Sequence, residues 1–277
     1  MIVKTEGVVL KSMRFRETSK IVTFYTRRYG KLAAVAKGAR ETKSKFGAAL
    51  EPMTAVNLVL YKKEQRDLQL VSQCDIRKQH KKIQSEMERM GVGLSIVELL
   101  NQLTQNEEEN PALFSLLDET LDALESAPGN IVNFRHGFEL RFCGVYGFAP
   151  VFDHCVSCEK RLDPDKAGIM TVFQLDKGGM LCESCAGAIP PAQVRIVERD
   201  GKEYDGRGPA YCRIRKTTAM IMERLFAARL QSLGGLEYPG PVGNELGATL
   251  RSYLRYHFES VRPLKSAHVF EQMSNDY

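Results

Sequence analysis

Four cysteines carry the most specific chemistry in this chain. Cys155 and Cys158 stand two residues apart, and after 23 intervening residues Cys182 and Cys185 repeat the spacing. A two-residue gap lets both thiolates of a knuckle reach one ion. Two knuckles complete a closed tetrahedral shell of sulfur, for which Zn2+ is the usual occupant. Gly178-Gly179, just before the second knuckle, suits the tight backbone such a turn demands. The separation between knuckles is slightly longer than the commonest one, as a long hairpin would explain. Four protein ligands leave zinc no open position, so the expected metal is structural and not catalytic. His154 adjoins the first knuckle and is an alternative ligand, and reduced or redox-active thiols are the alternative to a metal. Cys74, Cys143 and Cys212 lie among apolar or mixed neighbours and read as buried small hydrophobes.

The second chemical signal is charge. The chain has 39 Lys and Arg against 34 Asp and Glu, a net +5. Nineteen of the cations and only seven of the acids fall in the first 82 positions, so that segment is +12 and the remainder is -7. Segregation of this kind points to a basic module that meets a polyanion, nucleic acid first, joined to a more neutral body. A solvated face that aids solubility is the plainer alternative. Lys37, Arg40, Lys43 and Lys45 crowd one polar break with only Glu41 to offset them, and Arg14, Arg16, Arg27 and Arg28 lie in two earlier breaks. A flexible basic loop beside a groove follows phosphates without reading bases. Phe15, Tyr25, Tyr29 and Phe46 interleave with these cations. They are candidates to stack on bases, although Tyr25 and one other are expected in the core.

Enzyme signatures are missing. No phosphate-binding G-x-x-x-x-G-K-[ST] loop, H-E-x-x-H helix, G-x-S-x-G elbow or kinase set occurs, and no H-x-E precedes the cysteines as in zinc deaminases. The five histidines form no catalytic motif, so no catalytic residue is assigned and the expectation is a protein that is not an enzyme. Glu107, Glu108 and Glu109 precede a helix, where carboxylates serve its dipole. A metal-dependent nuclease built on scattered acids is the remaining enzyme alternative. No apolar run reaches the roughly 18 residues of a membrane span, and the first residues lack the apolar core of a secretory signal, so the expected location is cytoplasmic.

These residues need elements to hold them. Residues 7–10, 20–25, 31–36, 55–61 and 68–72 are five short runs rich in β-branched and aromatic residues, separated by polar or glycine-bearing breaks. Five strands in about 75 residues predict a small closed barrel, of which the OB-fold is the nucleic-acid-binding kind; an SH3-like barrel would show the same pattern. Helical periodicity follows over 82–105, weakened by Gly91 and Gly93. A second helix runs over 112–126 behind an Asn110-Pro111 start, and a strongly apolar third over 131–146. Two more, near 215–232 and 244–259, flank the glycine- and proline-rich 234–243. The expected class is α+β multidomain. An OB-fold barrel over 1–80 precedes a helical domain over 81–150 and 189–277, which carries a four-cysteine zinc insert at 151–188.

At Lys37-Gly38-Ala39-Arg40 and Lys43-Ser44-Lys45-Phe46-Gly47-Ala48-Ala49-Leu50-Glu51-Pro52 the chain resembles the RecO family of bacterial recombination and repair mediators. The resemblance continues through Glu6-Gly7-Val8-Val9-Leu10, Glu17-Thr18-Ser19-Lys20-Ile21-Val22, Arg141-Phe142-Cys143-Gly144 with Tyr146-Gly147-Phe148-Ala149-Pro150, both knuckles, Tyr253-Leu254 and Arg262-Pro263-Leu264-Lys265-Ser266. Some members lack the cysteines; all four here place the chain with the zinc-bearing branch. The resemblance implies an N-terminal OB-fold, a helical C-terminal domain and a role without catalysis. It implies binding of single- and double-stranded DNA, annealing of complementary strands and, with the partner RecR, help for RecA in replacing single-strand-binding protein. It also implies contact with the C-terminal tail of that protein, and a nucleoid-associated location. A groove on the helix at 215–232, with Met220, Met222, Leu225 and Phe226 near Arg224 and Arg229, is a candidate receptor for the tail, against the plainer reading of a core stripe. An RNA-binding or transcription-associated protein is the competing function. The insert's cations Lys160, Arg161, Lys166 and Lys177 are balanced by Glu159, Asp163, Asp165, Asp176 and Glu183, so it is read as bracing the helical domain.

Overall fold

The computed structural model describes residues 1–63, 66–163, 169–196, 210–258, 262 and 264. Pro263, Lys265, Ser266 and Glu259 among the sequence signals above, and Asp165 and Lys166 of the insert, lie outside these. Two compact units are present, one built on Met1–Ala127 and the other on Pro128–Val261.

The first unit opens with five strands, β1 (Ile2–Phe15), β2 (Ser19–Thr26), β3 (Gly30–Ala36), β4 (Ala55–Tyr61) and β5 (Leu68–Lys78). They close in the order β1-β2-β3-β5-β4, as in an OB-fold. Closure depends on the length of β1. Its first half pairs with β4 and its second half with β2, so one strand serves two neighbours, and a register shift between Val9 and Lys11 bends it from one to the other. Gly7 sits where both pairings overlap, opposite Thr26 and Val56; a Cβ there would lie 2.8 Å from the Leu58 side chain. The final seam is the parallel pairing of β3 with β5, Ala33 opposite Leu68 and Val35 opposite Leu70. Alternation drives the assembly: Leu32, Ala34 and Ala36 of β3 and Val56, Leu58 and Leu60 of β4 turn inward and are buried. The sequence shows only the middle of β1 and the first half of β5, because charged residues interrupt the apolar pattern over the rest of each strand.

Three helices complete this unit: α1 (Lys81–Ser85), α2 (Met87–Leu103) and α3 (Pro111–Ser126). The single helix expected over 82–105 is broken at Glu86, whose backbone is extended. Gly93 of α2 lies against Met53 and Ile83, an approach a side chain would block. Asn110 caps α3 through its side chain, which accepts from the Leu113 N–H at 2.9 Å, with Pro111 in the first turn as the sequence predicts. Although the sequence reading groups α1–α3 with the later helices, they belong to the barrel's unit. Arg77 pairs with Asp118 at 2.5 Å, Lys78 pairs with Asp118 and Asp122, and Lys62 pairs with Glu107 at 2.8 Å. Gly30, at φ +55, lets the backbone at Glu108 come so close that any Cβ would overlap its carbonyl.

The second unit contains α4 (Val132–Val145), β6 (Met170–Gln174), β7 (Gly179–Met180), α5 (Glu183–Gly187), β8 (Val194–Ile196), β9 (Tyr211–Arg215), α6 (Lys216–Ala227) and α7 (Gly240–His257). Phe134, Phe138 and Phe142 of α4 are fully buried, as expected of a central helix. The helix expected to reach 232 stops at Ala227, and a 3-10 turn over Leu230–Gly235 follows. The last helix starts at Gly240, earlier than periodicity indicates, because Pro241 is compatible with a first turn whose N–H groups have no partner. Strands β7-β6-β9-β8 form a four-stranded sheet. Val172 faces the knuckles, while its neighbour Phe173 meets Tyr253 of α7 with ring centroids 5.4 Å apart. Among the described residues, no helix is long and apolar enough to cross a membrane.

Candidate nucleic-acid interface and metal centre

The eight cations singled out from sequence separate to the two ends of β2. At one end the β1–β2 turn and the segment 37–46 are tied together. The Arg40 N–H donates to the Thr18 carbonyl at 2.8 Å, and its guanidinium donates to the carbonyls of Arg16 and Glu17 at 3.2 and 2.9 Å. Arg16 itself turns the chain at φ 53. Lys45 donates to the Ser72 carbonyl at 2.6 Å and lies over the Phe46 ring. Arg14, Arg16, Lys37, Arg40, Lys43 and Lys45 are exposed and share this end. Because a guanidinium has five N–H donors and an ammonium three, Arg40 and Lys45 brace the loop and still present charge outward. Their anchoring to main chain lowers the entropy that a floppy loop would lose on meeting a ligand.

Arg27 and Arg28 lie at the other end, with the roughly 25 Å length of β2 between. Arg27 is committed within the unit: its Nε donates to Glu6 at 2.7 Å and its guanidinium lies 4.5 Å from the centroid of Phe114. Arg28 is exposed. The eight residues therefore do not form one continuous track. Of the four interleaved aromatics, Phe46 is buried in the barrel core, Tyr25 is buried on the face of β2 opposite Phe24, and Phe15 and Tyr29 are half-buried. Phe46 is an anchor: with Ala49 and Leu50 it plugs the barrel from the same segment that presents the cations.

Cys155, Cys158, Cys182 and Cys185 come together, with their sulfur atoms all within 4.8 Å of one another and the Cys158 and Cys182 sulfurs 3.6 Å apart. A tetrahedral shell with Zn–S bonds of about 2.3 Å has sulfur–sulfur edges of about 3.8 Å, so the donor set fits such an ion in both chemistry and size. None of the four is in a disulfide. Local backbone makes the cluster. Glu159 at φ 62 turns the first knuckle, its N–H donating to the Cys155 carbonyl at 2.8 Å, and Cys182 caps α5. Gly178, at φ +63, leaves room for the Tyr253 hydroxyl, and Gly179 for the Val151 carbonyl. Cys155 is buried; burial alone raises a thiol, but backbone N–H groups of Cys182, Cys158 and Ser157 outweigh it and bring Cys155 down to about 6. His154 is outside the cluster: its Nδ1 meets Asp153 at 2.8 Å.

The lone cysteines behave as the sequence predicts. Cys74, Cys143 and Cys212 are buried, and burial raises the thiols of Cys74, to about 12, and of Cys143. The stripe considered as a receptor for an acidic tail is largely core, because Met222 and Leu225 are fully buried, although Met220 is exposed. Sequence reasoning missed the cations tied down inside the first unit. Lys62, 7% exposed, pairs with Glu107, and Lys31 donates to the Asn101 carbonyl at 2.8 Å, its ammonium lowered by burial.

The family model described as Recombination protein O N terminal matches residues 1–80, and that described as Recombination protein O C terminal matches residues 84–202. Similar proteins are each named DNA repair protein RecO. That of Salinibacter ruber is 31% identical, covering 98% of this chain and 94% of its own length. Those of Chlorobium limicola and Pelodictyon phaeoclathratiforme are 30% and 29% identical, each covering 99% of both chains. With its closed barrel, basic loop and four-cysteine cluster, this chain belongs to the RecO family of DNA repair proteins.

Proposed function

We propose that the protein is a recombination mediator without enzymatic activity. It binds single- and double-stranded DNA and anneals complementary strands. With RecR, it helps load RecA onto DNA covered by single-strand-binding protein, whose C-terminal tail it contacts. It works in the cytoplasm, associated with the nucleoid. The observation that carries this reading is the braced loop end, where six exposed cations stand on main chain pinned by Arg40 and Lys45. Such a surface neutralises phosphates without reading bases. Screening the repulsion between two strands and holding them side by side lowers the barrier to pairing, while the bases supply free energy and fidelity. The chain's own groups need perform no covalent step.

The four cysteines would hold Zn2+, which supplies cross-linking of the two knuckles and no open coordination position. Cys155, already favoured as thiolate by the surrounding N–H groups, would be the buried ligand, with Cys158, Cys182 and Cys185 nearer solvent.

The test is annealing of complementary labelled strands coated with single-strand-binding protein. Replacing Lys37, Arg40, Lys43 and Lys45 together by Ala is expected to abolish annealing with the fold intact. Equal annealing by both proteins would move the DNA surface elsewhere. Annealing by neither, with tight binding to RNA of the same sequence, would replace the reading with an RNA-binding one.

A further inference from the structure

The barrel has a second exposed feature away from the braced loop. On the outer face of β1, β4 and β5, Ile2 lies opposite Tyr61 and Tyr61 opposite Leu70, so three apolar side chains form a cross-strand row. Ile2 is 62% exposed and Tyr61 46%. Among the described residues, Tyr61 is the exposed aromatic of the first unit; the others, Phe148 and Tyr256, belong to the second. Cations flank the row. Lys4 is one outward position further along β1, and the connector after Tyr61 contributes Lys63 and Arg66, all three exposed. None of the three is in an ion pair with a described residue. Glu64 and Asp67 in the same connector offset part of this charge. The far end of the same face changes character, ending in Asn57 and Asp75.

We propose that the Ile2–Tyr61–Leu70 row is a stacking platform for the bases of a single strand, with Lys4, Lys63 and Arg66 taking its phosphates. This rests on the DNA-binding reading above and assigns the protein a second nucleic-acid surface. Charge favours a polyanion over a neutral apolar partner, and an exposed ring between aliphatic side chains is what an unpaired base covers. The two surfaces divide the work. The braced loop offers cations, while of its neighbouring rings Phe46 is buried and Phe15 is half-buried under the Arg16 guanidinium, so it grips chiefly backbone, in either single strands or duplex. The Tyr61 row offers a ring, which a duplex with its bases stacked inside cannot use. A protein that brings two strands together gains from two such unlike surfaces on one barrel.

Anisotropy titrations with a mixed-sequence single strand and a blunt duplex test this on the full chain. Tyr61→Ala is expected to weaken single-strand binding about fivefold or more, the low end of what one stacked base contributes, and to leave duplex binding unchanged. Tyr61→Phe keeps wild-type affinity. A strand carrying a photoreactive halogenated pyrimidine cross-links to the peptide containing Tyr61, a readout that needs no variant. Unchanged single-strand affinity in Tyr61→Ala, or an equal loss for both DNAs, overturns the platform while leaving the mediator reading in place. A shift in sedimentation of Tyr61→Ala with DNA binding intact overturns it too, making the row a protein contact. Wild-type protein that binds neither DNA overturns both readings.

Discussion

The barrel and the knuckle sheet are both small β structures, and they differ sharply in how much buried core holds them. Five strands close on themselves around a cluster of fifteen buried residues running from Val3 to Cys74, with Phe24, Leu58 and Leu60 at its centre. The four-stranded sheet stays open, its strands β7 and β8 are two and three residues long, and the core on its knuckle side is Cys155, Val172 and Leu181. Burying area stabilises the first at about 25 cal/mol per Å2. Three buried residues, with partly buried ones such as Leu162, Ile189 and Tyr211 against them, offset less of the ordering of two knuckles and a hairpin, and the proposed ion would add cross-linking there. With the proposed ion in place, the same element type would be core-driven in one unit and ligand-driven in the other.

Removing the proposed ion should break the contrast most severely. Structural zinc contributes on the order of 10 kcal/mol of apparent binding energy. We expect Cys155→Ser, or strong chelation of the wild type, to abolish zinc content and hydrogen-exchange protection across residues 169–187, while the barrel amides stay protected. Metal analysis with exchange mass spectrometry reads both. Protection unchanged after chelation would show that the sheet is core-driven after all.

The complementary change is Phe24→Ala. The ring is fully buried in the barrel, and its loss should cost about 3–5 kcal/mol in urea unfolding of the first unit, with zinc content unchanged.

A smaller effect separates the units by pH. Burial, then repulsion from Arg135 and Arg251, holds His136 well below its usual 6.5, so the folded second unit keeps it neutral. Above pH 6.5 both states are neutral and stability does not depend on this group. Below it the unfolded chain alone takes up a proton, and stability falls by up to about 1.4 kcal/mol per pH unit. In the first unit, burial raises Asp122 but hydrogen bonds from Lys78 and His80 outweigh it and lower it below 3.8. Its contribution is present above that value and is lost only as pH falls through the lower folded one. Wild type and His136→Gln, compared by urea unfolding between pH 7.5 and 5.5, should diverge in slope, with the variant flatter; parallel slopes would show His136 taking up its proton alike in the folded and the unfolded chain.

Much of this was legible beforehand because it is local. Alternating β-branched residues announce strands, Asn110-Pro111 announces a helix start, and paired two-residue gaps announce a metal knuckle, each within a few positions. The break at Glu86 and the early stop at Ala227 were not, since periodicity continues through both and only packing decides where a helix yields. The sheet behind the knuckles was likewise hidden: β8 and β9 are too short to stand out, and β9 joins β6 from about 40 positions away.

By itself the sequence determined the barrel, the cysteine cluster and the family, because spacing and alternation are properties of neighbours along the chain. Only the tertiary structure decided that Arg27 serves Glu6 and Phe114 while Arg40 braces a loop, that Tyr25 and Phe46 are buried, and that Tyr61 faces outward between Ile2 and Leu70. Which cation is free and which ring is exposed depends on the partner that folding brings alongside, and a linear pattern of charge and aromaticity holds no record of that partner.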